Sequence, residues 1–336
     1  MSNPKKKYLS DYAVNLCSSR WLMFPASNLM SGDTWKLNSQ QVLNNCHIYI
    51  ICKRPKLSFS PETFHYDGEF VSGHLVYKVS GIEQKIEFSM PFPLLDGAVQ
   101  VCLGKYPYRE FSTLSQEGEE VRYMPAFSVG AGLGLHLNYS DLRDLEVLYV
   151  GQAFGDGSRN VIDRLKNHST LQKILAQSQY DDPDSETLLI TVEYPNYKVL
   201  SFMDSRAENV ITGHHDYARF KSILETPLTK HQQVCLTEAA LIRYFQPKYN
   251  QIYKDNFPSK KHKILASCYN LDFSGLIVEI NTDELGFALF SSTVRPSGHH
   301  ICNIDILDPN KRLGFFHYSR GDGSLFEMPN VIRPKG

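Results

Sequence analysis

Short apolar runs, some continuous and some alternating, recur along the chain and are separated by a few segments with helical spacing. Residues 145–150 form one such run, rich in branched side chains and short enough for a buried strand. Residues 47–52 form another, ended by Lys53-Arg54-Pro55. The runs 74–79 and 85–90 flank a glycine-containing loop and predict a hairpin, and 99–103 is a further strand candidate. Residues 188–194 read as a clear strand, and strands return at 275–280, 287–290 and 300–306. Helical spacing is clearest from about Arg159, where Val161, Ile162, Leu165, His168 and Leu171 recur three and four apart. A second helix is predicted over 236–245, capped by Thr237 or from upstream by Thr229, and stopped before Pro247. Shorter helices are expected near 10–19 and 39–45, and residues 199–227 read as a long polar connection.

Composition narrows the class without naming a function. The chain has 336 residues, which suggests two or three domains with ample core. A hydrophobic fraction of 42% and a net charge of −1 fit an ordinary globular protein, so any affinity for polyanions must come from a local patch. The seven cysteines are scattered and contain no C-x-x-C pair, which supports neither a zinc ribbon nor a disulfide framework. Lys5-Lys6-Lys7 reads as a solvated end. No apolar stretch of membrane length follows it, so no membrane partner is expected and the cytoplasm is the expected location. The glycine-rich stretch 130–134 lacks the third glycine of a dinucleotide fingerprint, and a polar segment follows it. Those glycines are expected to let a strand approach substrate or another backbone.

Candidate chemistry gathers in three places. Gly151 ends the 145–150 run, and a glycine/polar loop leads into the helix bearing Arg164 and His168. Four residues apart, these two share one helix face, so strand end, turn and helix can form a pocket for an anion. Glu238 opens an otherwise apolar helix segment, where a carboxylate calls for a cation or metal partner. Past Asn250, Lys254, Lys260, Lys261 and Lys263 make the most basic window, interleaved with Tyr249, Tyr253 and Phe257. Cations there can hold backbone phosphates and the aromatics can stack on unpaired bases.

Taken in order, Tyr149-Val150-Gly151, then Arg164-x-x-x-His168, then Glu238 followed by Phe245-x-Pro247-x-Tyr249-Asn250, resemble the GIY-YIG nuclease family over residues 134–253. Gly134-Leu135-His136 stands where the first signature strand is expected, with a histidine in place of its tyrosine. The resemblance implies an α+β fold: a small antiparallel sheet flanked by helices at 129–270. The strand runs on either side predict a β-rich region at 1–128 and another at 271–336, which is expected to pack with the first. The resemblance also implies metal-dependent hydrolysis of phosphodiester bonds, in DNA rather than RNA. Glu238 would hold Mg2+ or Mn2+, Arg164 the phosphate, and Tyr149, His136 or His168 would handle the attacking water. Asn250 and the four lysines would contact substrate. A restriction or defence assembly, or a homo-oligomer, is the expected setting by family analogy. The alternative is a nucleic-acid-binding or protein-interaction module that kept the fold and lost the chemistry.

Overall fold

The computed structural model describes residues 5–29, 37–137, 139–154, 161–320, 322 and 324–334, without the side chains of 37–39 and 135–137. The chain begins with β1 (Ser10–Cys17), β2 (Arg20–Pro25), α1 (Leu37–Asn45) and β3 (Ile48–Pro55). A β-rich stretch follows: β4 (Ser58–Phe59), β5 (His65–Tyr66), β6 (Phe70–Val79), β7 (Ile82–Pro91), β8 (Ala98–Leu103), β9 (Glu110–Ser115) and β10 (Glu120–Pro125). It closes with α2 (Ala126–Leu137) and α3 (Ser140–Arg143). Then come β11 (Asp144–Gln152), α4 (Val161–Lys166), α5 (Ser169–Asp181), β12 (Ser185–Glu193) and β13 (Lys198–Met203). The helices α6 (His214–Glu225), α7 (Lys230–Phe245) and α8 (Ala266–Asn270) precede β14 (Gly275–Asn281) and β15 (Ala288–Phe290). The last strands are β16 (His299–Asp305), β17 (His317–Ser319), β18 (Leu325–Glu327) and β19 (Val331–Ile332).

The arrangement is α+β. A central sheet has the order β15-β11-β3-β12-β2, antiparallel except where β15 joins β11. A second sheet, β13-β1-β14-β16-β19, draws strands from both ends of the chain, with β1 parallel to β14. The side chains of β3 alternate between the two faces of the central sheet. Ile48, Ile50 and Cys52 join the core shared with α7 and the second sheet, whereas Tyr49 and Ile51 join the core under α1, α4 and α5. Each fully buried aliphatic side chain in these cores contributes about 1.5–3 kcal/mol, so the two-sided burial of the central strands outweighs local propensity.

Several expectations change. Residues 10–17 are strand, not helix, because pairing on both sides with β13 and β14 buries nearly every position. The polar connection 199–227 contains most of β13 and all of α6. Gly130 and Gly134 lie in α2, not in a strand. A Cβ on Gly130 would stand 2.2 Å from Leu57 Cδ1, and one on Gly134 would stand 2.9 Å from Arg143 Cβ. The glycines therefore let this helix press against the β-rich stretch and α3. The strand facing β11 is β3, about a hundred residues upstream, so residues 56–143 are an insertion between the paired strands. That insertion has its own core around Phe111, whose ring meets Phe59, Phe64 and Phe92 at 5.0–5.4 Å. Fully buried Arg54 anchors the insertion to the sheet: it donates to Glu186 of β12 at 3.2 Å and to the Leu142 carbonyl at 3.1 Å.

Candidate active site

The site forms where β11 runs beyond β15. The two strands pair only over Asp144–Glu146, so the rest of that edge of β11 is open to other partners. Asn250 closes it: its amide oxygen accepts from Val150 N at 2.9 Å and its amide nitrogen donates to the Val150 carbonyl at 2.8 Å. This buried side chain (7% exposed) stands in for a strand neighbour, and Tyr249 N adds a bond to the Leu148 carbonyl. Asn250 was expected to touch substrate; its amide is spent on the strand, so it positions the site instead. Asn250→Ala is expected to destabilise the chain by about 2–4 kcal/mol, since two buried backbone groups lose their partners. Denaturant unfolding measures this, and wild-type stability would contradict the assignment.

A register shift between Val147 and Tyr149 sets the rest of β11 against β3, placing Gly151 opposite Tyr49. A Cβ on Gly151 would lie 2.5 Å from Tyr49 Cζ and Oη and 2.7 Å from Tyr149 Cε1. Glycine is therefore what lets both rings lie over the strand. Tyr49 is 1% exposed, and its ring centroid is 6.2 Å from that of Tyr149 and 5.6 Å from that of His168. Tyr149 and His168 are 5.2 Å apart. Arg164 and Tyr149 lie within hydrogen-bonding reach of the Tyr49 hydroxyl. His168 caps α5, its Nδ1 accepting from Leu171 N at 3.2 Å, which leaves Nε2 to carry the proton of the neutral ring. Burial, with help from Arg164, holds its pKa below the usual value.

Glu238 approaches from α7. Thr229 caps this helix in a box with Gln232, so it begins two turns earlier than Thr237. His231, Cys235 and Glu238 thus lie on one face, and Gln152 of β11 donates from Nε2 to Glu238 Oε2 at 2.8 Å. Burial pushes the Glu238 carboxyl up to about 7, opposed by the Gln152 hydrogen bond and by Arg164. No ion pair forms at Glu238 among the described residues. A half-buried carboxylate held by Gln152, with Arg164 near enough to act on its charge but forming no ion pair with it, fits a divalent ion that keeps most of its water. No group of three His, Cys, Asp or Glu able to hold a metal occurs among the described residues; of these residues, Glu238 is the one placed to hold such an ion.

Burial, and the nearby Glu238 carboxylate, raise the Tyr149 pKa, and burial raises that of Tyr49. Neither phenol is a ready base at neutral pH; both are hydrogen-bonding groups. His136 is not brought to the site as a strand residue: it lies in α2, which packs on α3 and β10. Tyr49 joins the site without being among the candidates that the sequence singles out. Its signal was present in His47-Ile48-Tyr49, an x-Ile-Tyr strand run, but the insertion hid its pairing with Tyr149-Val150-Gly151. Residues 155–160, with the loop and helix start expected there, lie outside the described residues.

In the basic window, Lys254 donates its ammonium to the Pro247 carbonyl at 3.1 Å, whereas Lys260, Lys261 and Lys263 are exposed. Tyr253, Phe257 and His262 pack ring against ring at 5.2–5.8 Å and brace this loop. The Glu238 carboxylate raises the Tyr253 pKa as a second cause after burial, so the loop adjoins the site. No helix among the described residues is long and apolar enough to cross a membrane. No family model, curated protein or solved structure matches the chain.

Proposed function

We propose that the chain is a metal-dependent endonuclease of GIY-YIG type, with a long insertion between its two signature strands, hydrolysing phosphodiester bonds of DNA. One observation carries the reading. Two tyrosines, a neutral histidine, an arginine and an unpaired carboxylate, spread from residue 49 to residue 238, converge at one strand end. Phosphodiester hydrolysis needs charge stabilisation at the non-bridging oxygens, an oriented water and help for the leaving oxygen.

Each group has a place in that chemistry. The exposed Arg164 guanidinium presents paired N–H donors to the phosphate, held at its base by α4. His168 Nε2–H donates to a phosphate oxygen or to the attacking water without carrying charge. The Tyr49 and Tyr149 hydroxyls orient that water rather than deprotonate it. Glu238 holds Mg2+ or Mn2+, which supplies neutralisation of the developing charge. Exposed Lys260, Lys261 and Lys263 lie on the adjoining loop and steer the nucleic-acid backbone.

Plasmid and single-stranded circles titrated with Mg2+ and Mn2+ test the reading. Wild type is expected to cut at least one of them. Arg164→Ala should be slower by about a hundredfold or more, with unfolding stability changed by under about 1 kcal/mol because the side chain is exposed. Intact substrate under every metal and strand state would refute an enzyme; DNA retained but uncut would favour the binding-module reading.

A further inference from the structure

The face of α7 that carries Glu238 continues outward past the site. His231, Cys235 and Glu238 stand at i, i+4 and i+7, one stripe along the helix. Gln152 links the inner two: besides its bond to Glu238, its amide lies 3.7 Å from Cys235 Sγ. Cys235 Sγ is in turn 3.5 Å from His231 Nε2. Beyond the thiol the surface is made of rings. The His231 imidazole lies 5.4 Å from the Phe154 ring, tilted by 36°, and Phe154 meets His47 edge to face at 5.1 Å.

These rings are held from behind. Ala153 N donates to the His47 carbonyl at 2.8 Å and fixes the strand end that carries Phe154. The Thr229–Gln232 box fixes the first turn of α7, which carries His231. Phe154 is partly buried against the core, whereas His231 is exposed. Phe154 covers one side of the imidazole and Cys235 its Nε2 edge, so the exposure belongs to the other side. Charge nearby is already engaged: Lys230 donates to the Tyr194 carbonyl, and Arg20 holds Glu193 at 2.7 Å. What the shelf presents is flat ring surface, whose complement is another flat π system. Along the helix axis His231 is about 10 Å from Glu238, at about 1.5 Å per residue. That span suits a nucleotide next to a phosphate held at the carboxylate.

We propose that the His231–Phe154–His47 shelf is the stacking subsite for an unpaired base beside the scissile phosphate, so that the substrate is DNA with a single-stranded or frayed segment at the cut. The proposal rests on the nuclease reading and specifies its substrate. A base inside a continuous duplex has neighbours on both faces and none free for the imidazole. An unpaired base has a free face, and aromatic side chains take it up whatever the sequence.

Fluorescence anisotropy of the full chain in EDTA, where no metal-dependent cleavage occurs, tests it. The probes are a short single strand carrying a fluorescent purine analogue and a duplex of the same sequence. Wild type is expected to bind the strand and to quench the analogue. His231→Ala should weaken strand binding by about tenfold, the loss of one stacked base, and remove the quench, with duplex binding unchanged. His231→Phe keeps a flat ring and should restore both; His231→Leu fills the space without one and should not. No strand binding or no quench by wild type, equal weakening of strand and duplex in His231→Ala, or restoration by leucine as well as phenylalanine would overturn the proposal. Cleavage is measured separately in Mg2+. Quench without cutting would refute the nuclease and leave the base subsite standing, whereas cutting without quench would do the reverse.

Discussion

Glu238→Gln is expected to abolish metal-dependent cleavage and, in the same molecule, to stabilise the metal-free chain above neutral pH. The carboxyl titrates near 7 in the folded state because burial penalises its charged form, against an ordinary value of 4.5. The folded chain therefore binds the proton more tightly than the unfolded chain. The resulting stability is full below about pH 4.5 and is lost as pH rises through about 7. Glutamine resembles the protonated acid at all pH values. The variant should match wild type near pH 5 and exceed it by about 1–3 kcal/mol near pH 8, after allowing for partial solvent screening. Asp305, also pushed up to about 7 by burial, is present in both chains and cancels from the comparison. Saturating Mg2+ should raise the melting temperature of wild type but not of the variant, because an ion that binds only the folded state stabilises it. Rates should fall by about a thousandfold or more if the metal supplies the main charge stabilisation. A stability gap that does not change between pH 5 and pH 8 would remove the buried-carboxylate argument, whatever the rates show.

Gly151→Ala is the second large effect. The new methyl group would meet Tyr49 Cζ and Oη at 2.5 Å and Tyr149 Cε1 at 2.7 Å, both rings being held by packing on the other side. Relief requires moving the two phenols that face Arg164 and His168. A loss of about 1–3 kcal/mol is expected from overpacking, with cleavage reduced by at least about tenfold because the hydroxyls leave their positions. A double-mutant cycle separates this clash from the loss of backbone freedom. In a Tyr49→Ala background the cost of Gly151→Ala should fall by about half or more, since the nearer ring is gone. An equal cost in both backgrounds would show that the glycine serves its own backbone and not the tyrosines.

Much of the local structure is legible in the residues themselves. The branched run ending at Gly151 marks β11, and the apolar spacing from Val161 to Leu171 marks the helical face of α4 and α5. The second helix is visible too, although its start is set by the Thr229–Gln232 box rather than by Thr237. Where burial on both faces replaces a one-sided pattern, the reading fails. Ser10–Cys17 is flanked by neighbours and nearly wholly buried, so no alternation distinguishes strand from helix. The glycines of α2 mislead in the opposite direction. They serve close packing against Leu57 and Arg143, a property of the neighbours and not of the helix's own sequence.

By itself the sequence determined the identities of the groups that meet at the site's carboxylate and arginine, and the local elements that carry them. Those elements follow from short-range periodicity, capping and chain breakers. Only the tertiary structure decided that Tyr49 is the partner of Tyr149, that Asn250 closes a strand edge, and that Lys6 is buried against Asp204. Each of these joins residues about a hundred or more positions apart, through strand register and packing across an inserted β-rich unit. Chain order within one segment carries no record of which distant strand will pair with it, because register is settled by burial of whole faces at once.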